Sequence, residues 1–285
     1  MKKFIHKTKD VLVLWIASLI AFCVVLWVGE VANDLGLGLI EVSILRGILL
    51  SVTFGTLIWI AVRSQKSKRE ILGLQGAAQN MKYFSLGMGL LLGPLLVTLL
   101  LSSQFGWAAY DLNPSIDIIM RQLIAILVVL LFEAFPEEIV FRGYILGKLK
   151  TEYSKLVSGL ITVILFVLLP VIVVPVQMHL IGMDVQVGGN SGITGGYLIY
   201  MMLFGGLTVA LRNITGNVWT SIGFHLVFVS MNYLIGISER SLLVITDYQR
   251  ELPIQITLLG CILIILFVLV RFRRKNMGRL TTVSN

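Results

Sequence analysis

Long apolar runs, broken by short cation-rich segments, set the pattern of the chain. Val11 to Val28 is uncharged and follows a start carrying Lys2, Lys3, Lys7 and Lys9. A basic start before an apolar run can mark a secretory signal. This run is longer than a usual signal core and no small-x-small cleavage site follows, so it predicts a retained first span. Later runs predict spans at roughly Leu39–Val62, Tyr83–Leu101, Ile118–Leu149, Leu156–Met178, Tyr197–Leu211, Val218–Ile235 and Ile254–Val270. A bilayer crossing needs about 20 apolar residues. The expectation is therefore an all-α fold: a polytopic membrane helical bundle of about eight transmembrane helices, forming one integral domain over 1–285.

The breaks add detail. Ile71 to Met81 is mildly amphipathic and predicts a helix lying along the membrane surface. Gly87, Gly89 and Gly93 offer close helix approach in the third span. A polar loop with Trp107, Tyr110, Asp111 and Asp117 follows it. Pro170 and Pro175 predict a disturbed fifth helix. Gly188-Gly189-Asn190-Ser191-Gly192 has no Lys-Ser/Thr signature, so it predicts a flexible connection rather than a phosphate cradle.

Composition agrees with the pattern. Of 285 residues, 57% are hydrophobic and 13% charged, and the mean hydropathy is +0.92; soluble domains do not carry this balance. The formal charge of +8 sits in clusters between apolar runs, which argues for the lipid bilayer and against nucleic acid as a partner. Cys23 and Cys261 both fall inside apolar runs, which argues against a disulfide framework or a thiolate metal site. The three histidines are His6, His179 and His225, and no HExxH occurs. With the amino terminus inside and sides alternating, inner segments hold 19 Lys/Arg and outer loops only Arg240 and Arg250. That asymmetry predicts cytoplasmic termini and an exposed outer segment, Ser238–Pro253, in a plasma membrane that we expect to be bacterial.

The candidate chemistry lies in Phe135-Pro136-Glu137-Glu138-Ile139-Val140-Phe141-Arg142-Gly143. Two adjacent carboxylates close the apolar run Leu123–Phe135, which only Glu133 interrupts. Helical spacing lets Glu138 pair with Arg142 while Glu137 points about a quarter-turn away. Ionisable groups at such a place are costly and mark candidate functional sites; the plainer alternative is a structural ion pair at a helix end. Counting about 1.5 Å per residue from the inner ends places the glutamates about 15 Å and His225 about 13 Å deep. A carboxylate near an imidazole at one level suits general-base activation of water, with the imidazole binding developing negative charge. Both are also ordinary metal ligands, so Glu137 and His225 are candidate ligands of a divalent metal such as zinc.

Glu137-Glu138-Ile-Val-Phe-Arg142-Gly resembles the EExxxR motif of the intramembrane proteases related to CAAX prenyl endopeptidases and to bacteriocin-processing and immunity proteins. Thr215-Gly216-Asn217-Val218-Trp219-Thr220-Ser221-Ile222-Gly223-Phe224-His225 looks like that family's block ending in a buried histidine. The resemblance covers about Ile118 to Tyr233 and implies a catalytic core at 118–235. It implies a helical cavity open to the cytoplasm, in which a peptide or membrane-protein terminus is cleaved by glutamate-activated water. Glu137 would activate the water, Glu138 and Arg142 would support it, and His225 would help bind water, a metal or the oxyanion. Two departures stand out. The family's FxxxH falls on Phe166-Val-Leu-Leu-Pro170, with proline in the histidine's place. HxxxN is absent after His225, where Val229 stands; Asn232 and His179 are the candidates to compensate. The alternatives are a non-catalytic relative acting as a membrane binding or immunity protein, and a small transporter component using Glu133, Glu137 and Glu138. The concentration of polar groups at one depth ranks the transporter last.

Overall fold

A computed structural model describes residues 2–183, 186–187, 190–236, 240–248 and isolated positions between 255 and 271. Its helices are α1 (Lys2–Asp34), α2 (Leu39–Val62), α3 (Lys68–Leu72) and α4 (Ala77–Gln104), then α5 (Ile116–Leu149) and α6 (Lys155–Ile181), and α7 (Gly195–Thr215) and α8 (Val218–Leu234). Six segments are long and apolar enough to cross a membrane: Thr8–Asp34, Leu39–Val62, Lys68–Gln104, Ile116–Leu149, Lys155–Ile181 and Gly195–Thr215. The shorter α8 is apolar as well. The chain is an all-α integral membrane bundle. The expected eighth span, Ile254–Val270, lies largely outside the described residues, as do Cys261, Gly188 and Gly189.

Chain direction divides the bundle into two ends. One holds the α2–α4, α5–α6 and α7–α8 connections and most of the cations between helices; we call it the basic end. Lys148 Nζ lies 3.6 Å from Asp10 Oδ2 and ties the start of α1 to it. At the opposite end β1 (Ala108–Leu112) pairs antiparallel with β5 (Leu243–Tyr248), which runs parallel to β4 (Ile235–Gly236). The polar loop after the third span is therefore partly a strand, and part of the expected outer loop is its partner. A second small pair, β2 (Gln186–Val187) with β3 (Asn190–Ser191), occupies part of the glycine-rich connection.

Lipid is as apolar as leucine, so helices in a membrane associate by close packing and polar contacts rather than by escape from water. Small residues therefore set the seams. A Cβ on Gly87 would lie 2.1 Å from the Thr220 carbonyl oxygen, and one on Gly223 would lie 2.2 Å from that of Phe84. Helices α4 and α8 thus meet backbone to backbone. Gly89 and Gly93, expected to act alike, have nothing within 4 Å of such a Cβ. They sit on other faces of the same helix.

Residues 71–81 do not form the expected surface helix. Helix α3 stops at Gly73, whose φ of +66° is the left-handed conformation that favours glycine, and α4 starts afresh at Ala77. Ile71 and Leu72 are buried, and Gly147 is so close that its Cβ would meet the Ile71 carbonyl oxygen at 2.0 Å. A five-residue helix this short is held by what it packs against, not by its own turns. Helix α6 runs through Pro170 and Pro175 and ends in a π turn, Gln177–Ile181. Trp15 Nε1 donates to the Leu165 carbonyl at 3.0 Å, joining α1 to α6.

Candidate active site

Helix α5 is not uniformly α-helical where the glutamates lie. A π turn over Leu130–Ala134 precedes the α turn Phe135–Glu138, and a second, Ile139–Ile145, follows it. Pro136 leaves the first with an orphan carbonyl. In i→i+5 bonding the amide at position 136 would serve the Leu131 carbonyl, and proline has none. The Ser51 hydroxyl of α2 donates to that carbonyl instead. A Cβ on Gly47 would sit 3.1 Å from Leu131 Cβ, so α2 packs tightly on the widened turn. Such single π turns are common at functional sites because they re-aim the side chains that follow.

Beyond this turn Glu138 and Arg142 are both fully buried. Arg142 Nη1 lies 3.0 Å from Glu138 Oε1. The same oxygen lies 3.0 Å from His225 Nδ1. Helix α8 brings the histidine there. Gly216 ends α7 with φ +75°, and the Asn217 side chain caps α8 by accepting from the Trp219 amide at 2.9 Å. His225 follows two turns later with 3% exposure. Its ring packs edge-on against Phe204 of α7, with centroids 4.7 Å apart.

Phe166 sits over the guanidinium, whose carbon lies 4.1 Å from the ring centroid. The phenylalanine of the degenerate second motif thus contacts the site even though Pro170 stands where a histidine was expected. None of the three Arg142 side-chain nitrogens makes a geometrically good hydrogen bond to a described residue, and neither does Glu138 Oε2. Charge and ring faces, rather than a full set of donors and acceptors, hold this arginine.

Glu137 is only partly buried and forms no hydrogen bond or ion pair with a described residue. Spacing anticipated the Glu138–Arg142 pair and the separate direction of Glu137. It assigned the imidazole to no particular glutamate, and the histidine meets Glu138. The arrangement leaves one constrained carboxylate inside and one unconstrained carboxylate beside it. Through Glu138, His225 Nδ1 is engaged, which leaves Nε2 as the ring nitrogen available for a substrate or water.

Neither compensating residue reaches the site. His179 and Asn232 are both exposed. Among the described residues no three His, Cys, Asp or Glu side chains are grouped to hold a metal ion. A hydrolytic zinc takes three protein ligands, so Glu137 and His225 alone do not fit a resident metal.

Arg212 was read from the sequence only as one inner charge. It is 5% exposed. Its Nε donates to the Arg142 carbonyl at 3.2 Å, and its Nη2 donates to the carbonyls of Glu70 and Ile71 at 3.4 Å each. A Cβ on Gly73 would collide with this guanidinium at 2.2 Å. Arg212 therefore ties the end of α7 to α3 and to the backbone of α5 behind the ion pair. A lone arginine one turn before a helix-ending glycine was the available signal.

No curated protein and no solved structure matches the chain. Residues 119–231, under half of the chain, match the family described as Type II CAAX prenyl endopeptidase Rce1-like, the family that the glutamate pair and the histidine block resemble.

Proposed function

We propose that the protein is an intramembrane endopeptidase that cleaves a peptide or membrane-protein terminus near the basic end of the bundle. The observation that carries the reading is the shared contact of Glu138 Oε1, 3.0 Å from both Arg142 and His225. A buried carboxylate held this way fixes the imidazole and leaves the neighbouring carboxylate, Glu137, for the chemistry. Glu137 takes a proton from water as the water oxygen bonds to the scissile carbonyl carbon. His225 Nε2 holds that water in line. The tetrahedral intermediate then collapses, the C–N bond breaks, and the proton on Glu137 passes to the leaving nitrogen. Glu138 and Arg142 touch no reacting atom in this scheme and act as positioning residues.

The charge asymmetry supports placing the basic end, and with it both termini, in the cytoplasm. Single cysteines at Lys3, Asp247 and Ser284, labelled in intact cells with an impermeant maleimide, test this. Labelling at Lys3 or Ser284 with Asp247 silent would reverse the orientation.

A second reading has one specific observation behind it. With Pro170 in the second motif and both His179 and Asn232 exposed, the site lacks a histidine that the resemblance implies, as a binding or immunity protein could. Detergent-purified protein incubated with membrane-anchored peptides separates the two readings. The protease predicts wild-type turnover, lost by a factor of about 10² or more in Glu137→Gln and reduced in His225→Ala, and raised in Pro170→His. Wild-type silence with turnover only in Pro170→His would establish the non-catalytic relative.

A further inference from the structure

The hydrolytic scheme leaves one intramembrane carboxylate unused. Glu133 lies in the π turn Leu130–Ala134. It is one helical turn from Glu137 on the same face of α5, and about 6 Å further from the basic end. That turn packs against both α2 and α8. Helices α5 and α8 run antiparallel, so a turn beyond Glu137 on one is level with a turn beyond His225 on the other. The residue there on α8 is Val229, where the resemblance implies an asparagine. This chain sets a carboxylate on α5 at the level where the pattern has a neutral amide on α8.

Glu133 is unpaired and reachable. It forms no hydrogen bond or ion pair with a described residue, and it is only partly buried. Neither carboxylate oxygen is among the buried polar atoms left without a partner, so both are open to contact. The carboxylate interacts electrostatically with His225 and with Glu137, which puts its charge at the site. The phenol of Tyr197, in the first turn of α7, interacts with both Glu137 and Glu133. That of Tyr233, at the end of α8, interacts with Glu133. The charge interactions of Arg142 are with Glu138 and Glu137. Among the described residues the basic neighbour of Glu133 is the His225 ring, and Glu138 already holds that ring at 3.0 Å. A carboxylate without a counter-charge is costly at this depth and marks function. Glu133 joins no two helices, so no structural role offsets that cost.

We propose that Glu133 is a specificity residue, which pairs with a lysine or arginine side chain of the peptide within two residues of the scissile bond. An extended chain advances about 3.3 Å per residue and alternates its side chains. The second residue from the bond is therefore displaced by about one helical turn, the separation of Glu133 from Glu137. The cation makes charge-assisted hydrogen bonds to the open carboxylate. The same carboxylate repels an acidic residue at that position, so it discriminates in both directions. The inference rests on the hydrolytic reading for the path of the peptide, but the charge preference belongs to binding and is measured without turnover.

The full chain is placed in phosphatidylcholine nanodiscs, whose neutral surface does not itself select for charge. It is titrated with fluorescent myristoylated peptides of alanine and serine, each carrying one Lys, norleucine or Glu at successive positions. Binding is read by anisotropy, and cleavage by mass spectrometry. At one position Lys is expected to bind about tenfold or more tightly than norleucine, as hydrogen bonds to charged groups do, and Glu most weakly. The same order is expected in Glu137→Gln, which removes the proposed base. Glu133→Gln removes a charge without removing a contact, and is expected to bring Lys and norleucine to within about twofold. Equal binding of Lys and norleucine at every position, or a Lys preference that survives Glu133→Gln, would overturn the assignment. A preference lost in Glu133→Gln with no peptide cleaved by the wild type would support it while overturning hydrolysis. Cleavage without any charge preference would do the reverse.

Discussion

The α4–α8 seam and the α6–α7 seam flank the same site and are built on opposite plans. The first is closed by backbone against backbone at Gly87 and Gly223. In the second, side chains stand between the helices: a Cβ on Gly205 would meet Phe166 at 3.3 Å, and one on Gly159 would meet Val209 at 3.1 Å. Beside that seam an apolar groove of about 740 Å3 opens toward the surroundings. The closed seam carries His225 and fixes its depth. Phe166 stands in the open seam, and Pro170, where the resemblance implies a histidine, follows it one turn later on α6. A wall made of side chains can repack when one residue changes, whereas a backbone contact cannot. The departure therefore falls on the side of the site that tolerates it.

Four substitutions sharpen or break this contrast. The largest effect belongs to what the open seam covers. Arg142→Ala leaves Glu138 buried without its cation and is expected to destabilise the protein by about 3–5 kcal/mol, measured as unfolding in detergent. A loss below about 1 kcal/mol would show that the ion pair is not needed to keep the carboxylate inside. Next comes the closed seam: Gly223→Ala forces α4 and α8 apart and is expected to cost about 3 kcal/mol, the upper end for overpacking. Intact stability there would refute backbone contact.

Gly205→Ala presses on the Phe166 and Val163 side chains, which can move, so about 1 kcal/mol is expected. Its sharper readout is activity: a displaced Phe166 shifts Arg142, and turnover on peptide should fall more than stability does. The smallest effect is Gly206→Ala. This residue lines the groove with nothing within 4 Å of an added Cβ, and a change within about 0.5 kcal/mol is expected in the same unfolding assay. If Gly206→Ala costs as much as Gly223→Ala, the seams do not differ.

Much of this was legible because intramembrane charge is rare. Hydropathy located the first seven expected helices, though the first and third run six or more residues past the expected ends, and the glutamate pair and His225 stood out against apolar runs, as did the Glu138–Arg142 spacing. What failed to show was whatever depends on a partner distant in the chain. The carboxylate that receives His225 is decided by the π turn before Glu137, and that turn rests on Ser51, 80 residues earlier. Strand β1 looked like a polar loop because its pairing partner β5 lies beyond residue 240. Among the three glycines of α4, only the facing helix could tell Gly87 from Gly89 and Gly93. Arg212 read as a topological charge because its carbonyl acceptors belong to α3 and α5.

Sequence separation also gives the site a history during synthesis. The Glu138–Arg142 pair spans a single helical turn, so it can form as soon as α5 does. The contact between Glu138 and His225 spans 87 residues, which at about 5–20 residues per second takes about 4 to 17 s to emerge from the ribosome. Arg212 reaches the Arg142 carbonyl across 70 residues, so it arrives before the histidine. During that interval the carboxylate enters the membrane with its own arginine as its counter-ion. The pair is thus a chaperone for its own charge, in place before either helix that completes the site has been made.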